Sequence, residues 1–430
     1  VASDGVIDLE DVPRDTAVIQ YWLNGAASHF ETYDPKPDAP LGIRSPFHPI
    51  STNVPGTFLC ESLPLHAKLM DKVTLIRSVH HDNSDHQHGM HWCQTGHDAK
   101  ANGVNPFKKS SHPASGSLVA MLRGSNHPGM PPYVMMGYPL DNQGPHRLYP
   151  HRSAYLGVRY NPLEILNKRT GDGKDPGQDQ DFYVRSLAPI GNLTRQDLLG
   201  RGKLLARFSG LQGGFGQGPA RAWNNFYRAA SDLVTGDRTG AVFDLEKEDP
   251  KTRERYGHNR SGQTALLARR LVESGVRFVE ITCAPGASNG TWDQHGDLKK
   301  GHEKNALDTD QSVTALIKDL KARGMLDETL VVWAGEFGRT PTAQSKNGRD
   351  HNPEGFTVWM AGAGVRGGMR YGATDEYGYY ATENKLSVHD LHATILHLLG
   401  MDHERLTYRH AGRNFRLTDV EGEVAREIFS

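Results

Sequence analysis

Histidines are concentrated in one tract whose side chains could bind a metal ion or move protons. The chain has 22 histidines, and six of them lie close together at His80, His81, His86, His88, His91 and His97. Imidazole is the commonest protein ligand for metal ions and the usual proton shuttle near neutral pH. Burying so many polar rings without partners is costly, so some must face a site or solvent. The tract therefore predicts a functional site, with a solvated loop as the alternative.

Further along the chain, carboxylates and imidazoles occur close together in short tracts. Asp293 and His295 are two residues apart, and Asp350 directly precedes His351. Glu336 follows an apolar run between them. A hard oxygen and an imidazole nitrogen at close range suit Zn²⁺, Mn²⁺ and similar ions. One such pair is common by chance, so a metal site requires that the tracts meet in the fold.

Six apolar runs predict the strands that would position these tracts. They are Val18 to Leu23, Val73 to Val79, Tyr133 to Met136, Val276 to Thr282, Leu330 to Ala334 and Phe356 to Ala361. Most lack polar alternation and are separated by amphipathic helices, which is typical of a parallel sheet covered on both faces. One helix is predicted to start at a capping box of Ser387 and Asp390 and to stop at Gly400. We therefore expect an α/β fold with a doubly wound, mainly parallel sheet flanked by helices.

The polar tracts stand at the ends of these predicted strands. Asn24 and His29 follow the first strand, and the tract from His80 to His91 follows the second. Open α/β sheets bind ligands beyond the carboxyl ends of their strands, so we expect the tracts to converge on one rim. For Asn24, a turn that satisfies the local backbone is the alternative.

Composition narrows the classes of partner and compartment. The 49 Lys and Arg nearly balance the 50 Asp and Glu, so no global field attracts nucleic acid or an anionic membrane. No run reaches the ~18 apolar residues of a membrane span. Three cysteines allow at most one disulfide. The start at Val1 predicts an exported protein, periplasmic or secreted, whose full-length reading frame carries a signal peptide, with a deliberately trimmed chain as the alternative.

The chain of 430 residues is expected to form one domain over 1–430, with an insertion or cap region over 101–261. Pro/Gly/Asp-rich stretches interrupt the strand and helix pattern there. The stretch from Gly213 to Gly218 follows no clear strand and lacks the Lys-Ser/Thr of a nucleotide loop, so it is predicted to be a surface loop. The oligomeric state does not follow from the sequence.

Several longer motifs occur in a fixed order: His29 to Pro37, Arg77 to His80, Leu271 to Phe278, Trp292 to Asp297, Gly335 to Pro341, and Gly348 to His351. They resemble a sulfatase-like family within the alkaline phosphatase superfamily, known mainly as a domain of unknown function. The resemblance spans nearly the whole chain. It implies a doubly wound sheet with two metal sites at the strand carboxyl ends, and a nucleophile held on one metal.

The resemblance also implies a set of metal ligands. Asp293, His295 and His351 match the Asp-His-His set of the first metal site. The second site departs from the pattern, because Glu336 stands where an Asp-His pair is usual and Asn24 where an Asp is usual. The full set of candidate ligands is Asn24, Asp293, His295, Glu336, Asp350 and His351. One or two divalent ions are implied, of Zn, Mn, Ca or Mg.

The expected nucleophile is also replaced. Sulfatase relatives place a modified cysteine ahead of a Thr-Gly pair, and alignment on Thr95-Gly96 puts His86 at that position. His86 could be a nucleophile, a general base, or an extra ligand while a metal-bound hydroxide attacks, and we favour the last. His81 is a candidate for managing the proton. Asn83 is a further catalytic candidate in the same tract.

Three arginines are candidates for gripping a phosphate or sulfate group through paired donors. Arg339 is assigned to catalysis, and Arg77 and Arg349 to substrate binding together with His29. The alternative for each arginine is pairing with a carboxylate. The sequence therefore predicts a metal-dependent hydrolase of phosphate or sulfate esters, acting on a small-molecule or glycan ester. The alternative is a non-catalytic metal- or anion-binding protein on the same fold.

Overall fold

The computed structural model describes residues 15–100, 103, 105–106, 109–127, 129–137, 149–167, 182–184, 242–282 and 292–429. Within these residues the strands, numbered in chain order, are β1 Ala17–Trp22, β2 Pro49–Ser51, β3 Phe58–Cys60, β4 Val73–His80, β5 Tyr133–Gly137, β6 Leu163–Asn167, β7 Phe182–Val184, β8 Phe278–Thr282, β9 Thr329–Ala334, β10 Gly338–Gln344, β11 Gly348–Asn352, β12 Phe356–Ala361, β13 Met369–Tyr371, β14 Ala373–Thr374, β15 Ala381–Glu383, β16 Leu386–Ser387, β17 Tyr408–His410 and β18 Arg413–Phe415. The α-helices are α1 His86–Thr95, α2 Ser115–Arg123, α3 Pro250–Tyr256, α4 Arg260–Glu273, α5 Leu298–Ala322 and α6 Val388–Leu398.

The central sheet has the strand order β13-β4-β12-β9-β1-β8-β5-β6-β7, and β16 pairs with β4. The run from β9 through β1, β8 and β5 to β6 is parallel throughout. All six predicted strands are present and belong to this sheet. The prediction of a mainly parallel sheet is confirmed.

One of the six predicted strands departs from the parallel arrangement. β12 has the predicted bounds but pairs antiparallel with both β4 and β9. Parallel neighbours require a crossover connection, usually a helix. The segment between β9 and β12 instead folds as the β10–β11 hairpin, and the chain re-enters the sheet in the opposite direction.

Side chains of the central strands alternate between two apolar layers. Ile19 and Tyr21 of β1 share one layer with α5 residues such as Leu316. Trp22 lies in the other layer, with Leu391 of α6. Fully burying one large apolar side chain contributes roughly 1.5–3 kcal/mol, so both faces must be covered by helices. The sheet is therefore doubly wound.

The predicted start of α6 is confirmed. The Ser387 hydroxyl accepts a hydrogen bond from the Asp390 backbone N–H at 3.1 Å, and the Asp390 carboxylate accepts from the Ser387 backbone N–H at 2.8 Å. This reciprocal cap satisfies backbone groups that the first turn leaves open. Gly400, with φ of 64°, follows the helix and suits its end.

The central sheet includes part of the predicted insertion. β5, β6 and β7 all fall within 101–261 and extend the sheet beyond β8. The stretch from Gly213 to Gly218 lies outside the described residues, and the extent of an insertion stays a prediction.

The described residues also bear on the cysteines and on membrane association. Cys60 and Cys93 are free and buried, while Cys283 lies outside the described part of the chain. No helix among the described residues is long and apolar enough to cross a membrane.

Candidate metal centre

The polar tracts meet at one edge of the sheet. β1, β4 and β9 end there, and β12 begins there because it runs the other way. His86, Asp293, His295 and His351 each offer one ligand atom, and these four atoms lie within 4.8 Å of one another. The structure thus brings together the Asp-His-His set that the resemblance implied and adds His86 to it.

The Asp293 carboxylate lies at the centre of this cluster. Its Oδ1 is 2.9 Å from His295 Nε2 and 3.2 Å from His351 Nε2. Its Oδ2 is 3.1 Å from His86 Nε2. All three imidazoles therefore direct the same ring nitrogen at one carboxylate.

The outer nitrogen, Nδ1, of each of the three imidazole rings is hydrogen-bonded to an oxygen acceptor. Through Nδ1 the pairs are His86 with Glu336 Oε1 (2.8 Å), His351 with the Ser84 carbonyl oxygen (2.7 Å), and His295 with Gln344 Oε1. Because these partners accept, each Nδ1 carries a hydrogen, and in a neutral ring Nε2 then carries the lone pair. In the neutral rings the three lone pairs would point toward Asp293, whereas a protonated ring donates to it from Nε2.

This arrangement fits a divalent cation. Neutral Nε2 lone pairs aimed at a carboxylate repel it unless a proton or a cation lies between them. Three imidazole nitrogens with a carboxylate oxygen form a donor set suited to Zn²⁺ and similar ions. Hydrogen bonds from the outer ring nitrogen are typical of metal-binding histidines. Within the described part of the chain, no other group of such side chains is assembled in this way.

Local structure fixes the position of His86. It is the first residue of α1, and the helix begins there because the Asp85 side chain accepts from the backbone N–H groups of Gln87 and His88. Such a cap is typically worth ~1 kcal/mol. His86 is therefore anchored at the start of a capped helix.

Two glycines allow the backbone segments of the cluster to approach each other. A Cβ on Gly348 would lie 2.0 Å from the carbonyl carbon of His295, and one on Gly25 would lie 2.6 Å from the backbone nitrogen of Asp293. Gly25 also has φ of +87°, a conformation that favours glycine. These contacts pack the segment bearing Asp293 and His295 between β1 and the β10–β11 hairpin.

The cluster has a strong preference for positive charge. Burial opposes ionisation of Asp293, but hydrogen bonds from His351 and His86 and the charge of Arg339 outweigh it, so the pKa of Asp293 lies well below its usual range. Burial likewise opposes a charged His86, yet its hydrogen bonds to Asp293 and Glu336 raise the pKa of His86 to about 9. The same two carboxylates favour any cation at this position.

The three other predicted metal ligands occupy different positions. Glu336 is fully buried, and its Oε1 accepts from the Gly25 backbone N–H and pairs with His86, each at 2.8 Å. Asn24 is fully buried, and its amide atoms have no hydrogen-bond partner among the described residues. Asp350 has a side chain that is 54% exposed, and its Oδ1 lies 3.9 Å from His295 Nδ1. Glu336 therefore contacts the cluster through His86, and Asp350 borders it.

The three arginines assigned to anion binding face internal partners. Arg339 is buried and donates to the backbone carbonyls of Gly25 and Ala26 as well as to Asp293. Arg349 pairs with Glu31, with Nη2 to Oε1 at 2.9 Å. Arg77 donates to the Tyr33 carbonyl and lies 3.4 Å from Asp34. The alternative of pairing with a carboxylate inside the protein therefore describes these contacts better than a site open to a phosphate or sulfate group.

His81, Asn83 and His29 also support the local structure. His81 Nε2 pairs with the Glu336 carbonyl at 2.6 Å, and its Nδ1 accepts from the Asn83 backbone N–H at 3.1 Å. Burial lowers the pKa of His81 to about 4. His29 is buried, pairs with the Gly378 carbonyl at 2.8 Å, and has its pKa lowered by burial to about 4. The structure does not bring His81 or His29 into the four-residue cluster.

Sequence reasoning missed Gln344, which holds His295. Gln344 ends β10, and its register partner Gly348 begins β11. The Asn347-Gly348 dipeptide signals a hairpin in this region, but the loop is 345–347, so that signal alone does not give the register of Gln344. The same hairpin pairs Arg339 with His351, which explains how both reach Asp293.

Comparison with known proteins gives a family and several structures of low similarity. The chain is similar to a sulfatase from Pseudoalteromonas sp. (11% identity over 92% of this chain and 70% of that one, TM-score 0.41). It is also similar to a lipoteichoic acid synthase from Listeria monocytogenes (10% identity, 90% and 72% covered, TM-score 0.38). A phosphonate monoester hydrolase from Silicibacter pomeroyi gives 15% identity, 79% and 68% covered, and a TM-score of 0.34. No curated protein matches the sequence. Residues 15–429 match the family described as "Protein of unknown function (DUF1501)", and the chain belongs to that family.

Proposed function

We propose that this protein is a divalent-metal-dependent hydrolase of phosphate or sulfate esters. The observation that carries the proposal is the convergence of three outer-anchored imidazoles on Asp293. The resemblance of the sequence motifs to the alkaline phosphatase superfamily supplies the reaction class. The substrate is proposed to be a small-molecule or glycan ester.

Each residue of the site has a defined task under this proposal. Asp293, His86, His295 and His351 would hold the ion, which supplies Lewis acidity and stabilises developing negative charge. Arg339 keeps Asp293 ionised, since its charge lowers the pKa of that carboxyl. The His295 side chain is 38% exposed and the Asp350 side chain 54% exposed, so substrate and water would approach from that side.

Among the three roles considered for His86, we propose that of a ligand. A nucleophilic histidine needs a ring nitrogen free to attack the substrate. In His86, Nδ1 faces Glu336 and Nε2 faces Asp293. Glu336 would then orient the ligand, as outer carboxylates do for metal-binding histidines.

The first test is removal and return of the metal. Chelation should abolish hydrolysis of a panel of aryl phosphates and aryl sulfates, and adding back Zn²⁺, Mn²⁺, Ca²⁺ or Mg²⁺ singly should restore it. His295→Ala should show the same loss with metal present, because it removes one of four donors. His258→Ala, which changes an exposed histidine between α3 and α4, is the matched control and should keep parental turnover. Hydrolysis that survives complete metal removal would contradict the proposal.

A second prediction concerns Glu336. Glu336→Gln keeps the size of the side chain but removes the charge that orients His86. We expect metal affinity, measured by competition with a chromogenic chelator, to fall by about 10–100-fold. Glu303→Gln, an exposed change on α5, should leave the affinity unchanged. Unaltered metal affinity in Glu336→Gln would argue against the orienting role.

The second candidate function is a metal-binding protein without turnover. It is favoured by the inward orientation of Arg77, Arg339 and Arg349, which leaves those guanidinium groups engaged with protein atoms. Stoichiometric metal binding without hydrolysis of any ester in the panel would support this alternative.

The compartment is part of the proposal. We propose that the protein acts in the periplasm or outside the cell, on the basis of the family resemblance. Fractionation of cells that express the full-length reading frame tests this, and recovery of the protein from the cytoplasm alone would overturn it.

A further inference from the structure

A large cleft borders the hairpin that carries His351. Its volume is about 870 Å³, and its walls are the segment 35–49, the first residues of α5 and the residues 343–349 around the hairpin turn. Clefts of about 300–1,000 Å³ are the usual size for ligand sites. None of the candidate metal ligands lines it, so it is a second space beside the cluster.

The charged side chains that line this cleft are cationic. Lys36, Arg44, Lys299, Lys346 and Arg349 contribute to the lining, and no Asp or Glu is among the lining residues. Lys36 pairs with Asp34 at 3.1 Å, and Arg349 pairs with Glu31 at 2.9 Å. Arg44, Lys299 and Lys346 are exposed and form no ion pair with a carboxylate in the described part of the chain. Like charges kept together without counter-charges create a positive potential that attracts an anion.

This concentration of charge is local. The whole chain has a formal net charge of −1, so the cleft differs in sign from the average of the molecule. A concave surface with one sign of charge focuses the field more strongly than a flat one. Attraction of anions is therefore expected at the cleft rather than over the whole surface.

The cleft and the candidate metal centre share the β10–β11 hairpin. Ala343 lines the cleft, and the adjacent Gln344 holds His295. Gly348 also lines the cleft and lies three residues before His351 on β11, a distance of about 10 Å along a strand. One extended ligand could therefore reach both places.

We propose that this cleft binds a second anionic group of the substrate, so that the substrate class is a multiply charged ester. One sulfate or phosphate ester lies at the candidate metal centre, and another anionic group of the same molecule lies in the neighbouring cleft. This inference rests on the proposed function, whose site it extends. Apolar lining residues, such as the exposed Leu41 and the buried Phe47, contact the part of the ligand that joins the two groups.

Binding by the metal-loaded protein tests the proposal. The probes are a fluorescent hexasaccharide with several sulfates, its fully desulfated counterpart, and a linear polyphosphate of similar length as a competitor. We expect the sulfated sugar or the polyphosphate to bind, the neutral sugar to bind weakly, and added salt to weaken the anionic complexes. The anionic probe that binds more tightly identifies the chemical source of the charge.

Lysine variants locate the binding surface. Lys299→Ala and Lys346→Ala should each weaken binding of the anionic probe by about 2–5-fold, the range for one exposed ion pair. Lys318→Ala is the matched control, since Lys318 is exposed on the same helix and lies about 28 Å along it from Lys299. It should bind the probe like the parent protein.

The results separate this inference from the proposed function. Equal binding of charged and neutral probes, or an equal effect of Lys318→Ala and Lys299→Ala, would overturn the cleft proposal even if aryl esters are hydrolysed. Lysine-dependent binding of the anionic probe without hydrolysis of any ester would leave the cleft as an anion site and remove the proposed enzymatic function.

Discussion

Asp293→Asn is expected to abolish metal binding and ester hydrolysis in a protein that still folds. His86, His295 and His351 all direct Nε2 at this carboxylate. The amide has the same size and can still accept from Arg339, but it lacks the negative charge. Loss of an outer partner costs about 10–100-fold in metal affinity, and loss of this central charge should cost more. Titration with Zn²⁺, metal analysis of the purified protein and turnover of an aryl ester measure the effect.

Asp350→Asn is the matched control for this change. Asp350 lies on the same hairpin as His351, but its side chain is 54% exposed and 3.9 Å from His295 Nδ1. We expect metal affinity and turnover close to those of the parent protein. An equally large loss would show that Asp350 is a ligand, as the sequence pattern suggested. A thermal unfolding midpoint near the parental value is required to attribute the Asp293→Asn result to the site.

The central strands were predictable because burial on both faces demands apolar residues at almost every position. β1 reads Ala-Val-Ile-Gln-Tyr-Trp and is buried throughout. The direction of β12 was not predictable from its own residues, because an apolar strand fits either direction. Direction was decided by the connection, in which β10 and β11 form a hairpin in place of a crossover helix.

Which residues form the four-residue cluster was also predictable in part from the sequence. Polar tracts at strand ends indicated where Asp293 and His295 would lie, since ligand sites form beyond the carboxyl ends of parallel strands. The separate tasks of His86 and Glu336 were not predictable. A side chain can point to the centre of the cluster or can orient another member of the cluster from outside. Which of these it does depends on which ring nitrogen or carboxylate oxygen points inward, and sequence spacing carries no information on that orientation.

The partners of the arginines were likewise not predictable from sequence spacing. The guanidinium of Arg349 suits a carboxylate and a phosphate equally well. Its partner Glu31 is 318 positions away in the chain, so local spacing could not identify it. The contact joins the segment after β1 to the hairpin, and it predicts a structural role that can be measured.

Glu31→Gln is expected to destabilise the protein by about 3–5 kcal/mol, because it leaves a buried guanidinium without its counter-charge. Glu31 is fully buried, and Arg349 reaches its two oxygens from Nε at 3.2 and 3.1 Å and from Nη2 at 2.9 Å. Urea unfolding at neutral pH measures the loss. Asp327→Asn, which removes the exposed partner of Lys321, should cost less than about 1 kcal/mol.

The double variant Glu31→Gln/Arg349→Met distinguishes the interaction between the two charges from the interactions of each residue with its surroundings. If each single change mainly leaves the other charge unpaired, the double variant should lose less free energy of unfolding than the sum of the single losses.

The pair also predicts a pH dependence. Although burial opposes ionisation, Arg349 lowers the pKa of Glu31 below its ordinary value of 4.5. The contribution of the Glu31–Arg349 pair to the free energy of unfolding is therefore fully present above pH 4.5. It declines as the pH falls through the lower pKa that Glu31 has in the folded protein. Parent protein should lose stability in this acid range more steeply than Glu31→Gln, and parallel curves for the two proteins would contradict a stabilising charge pair.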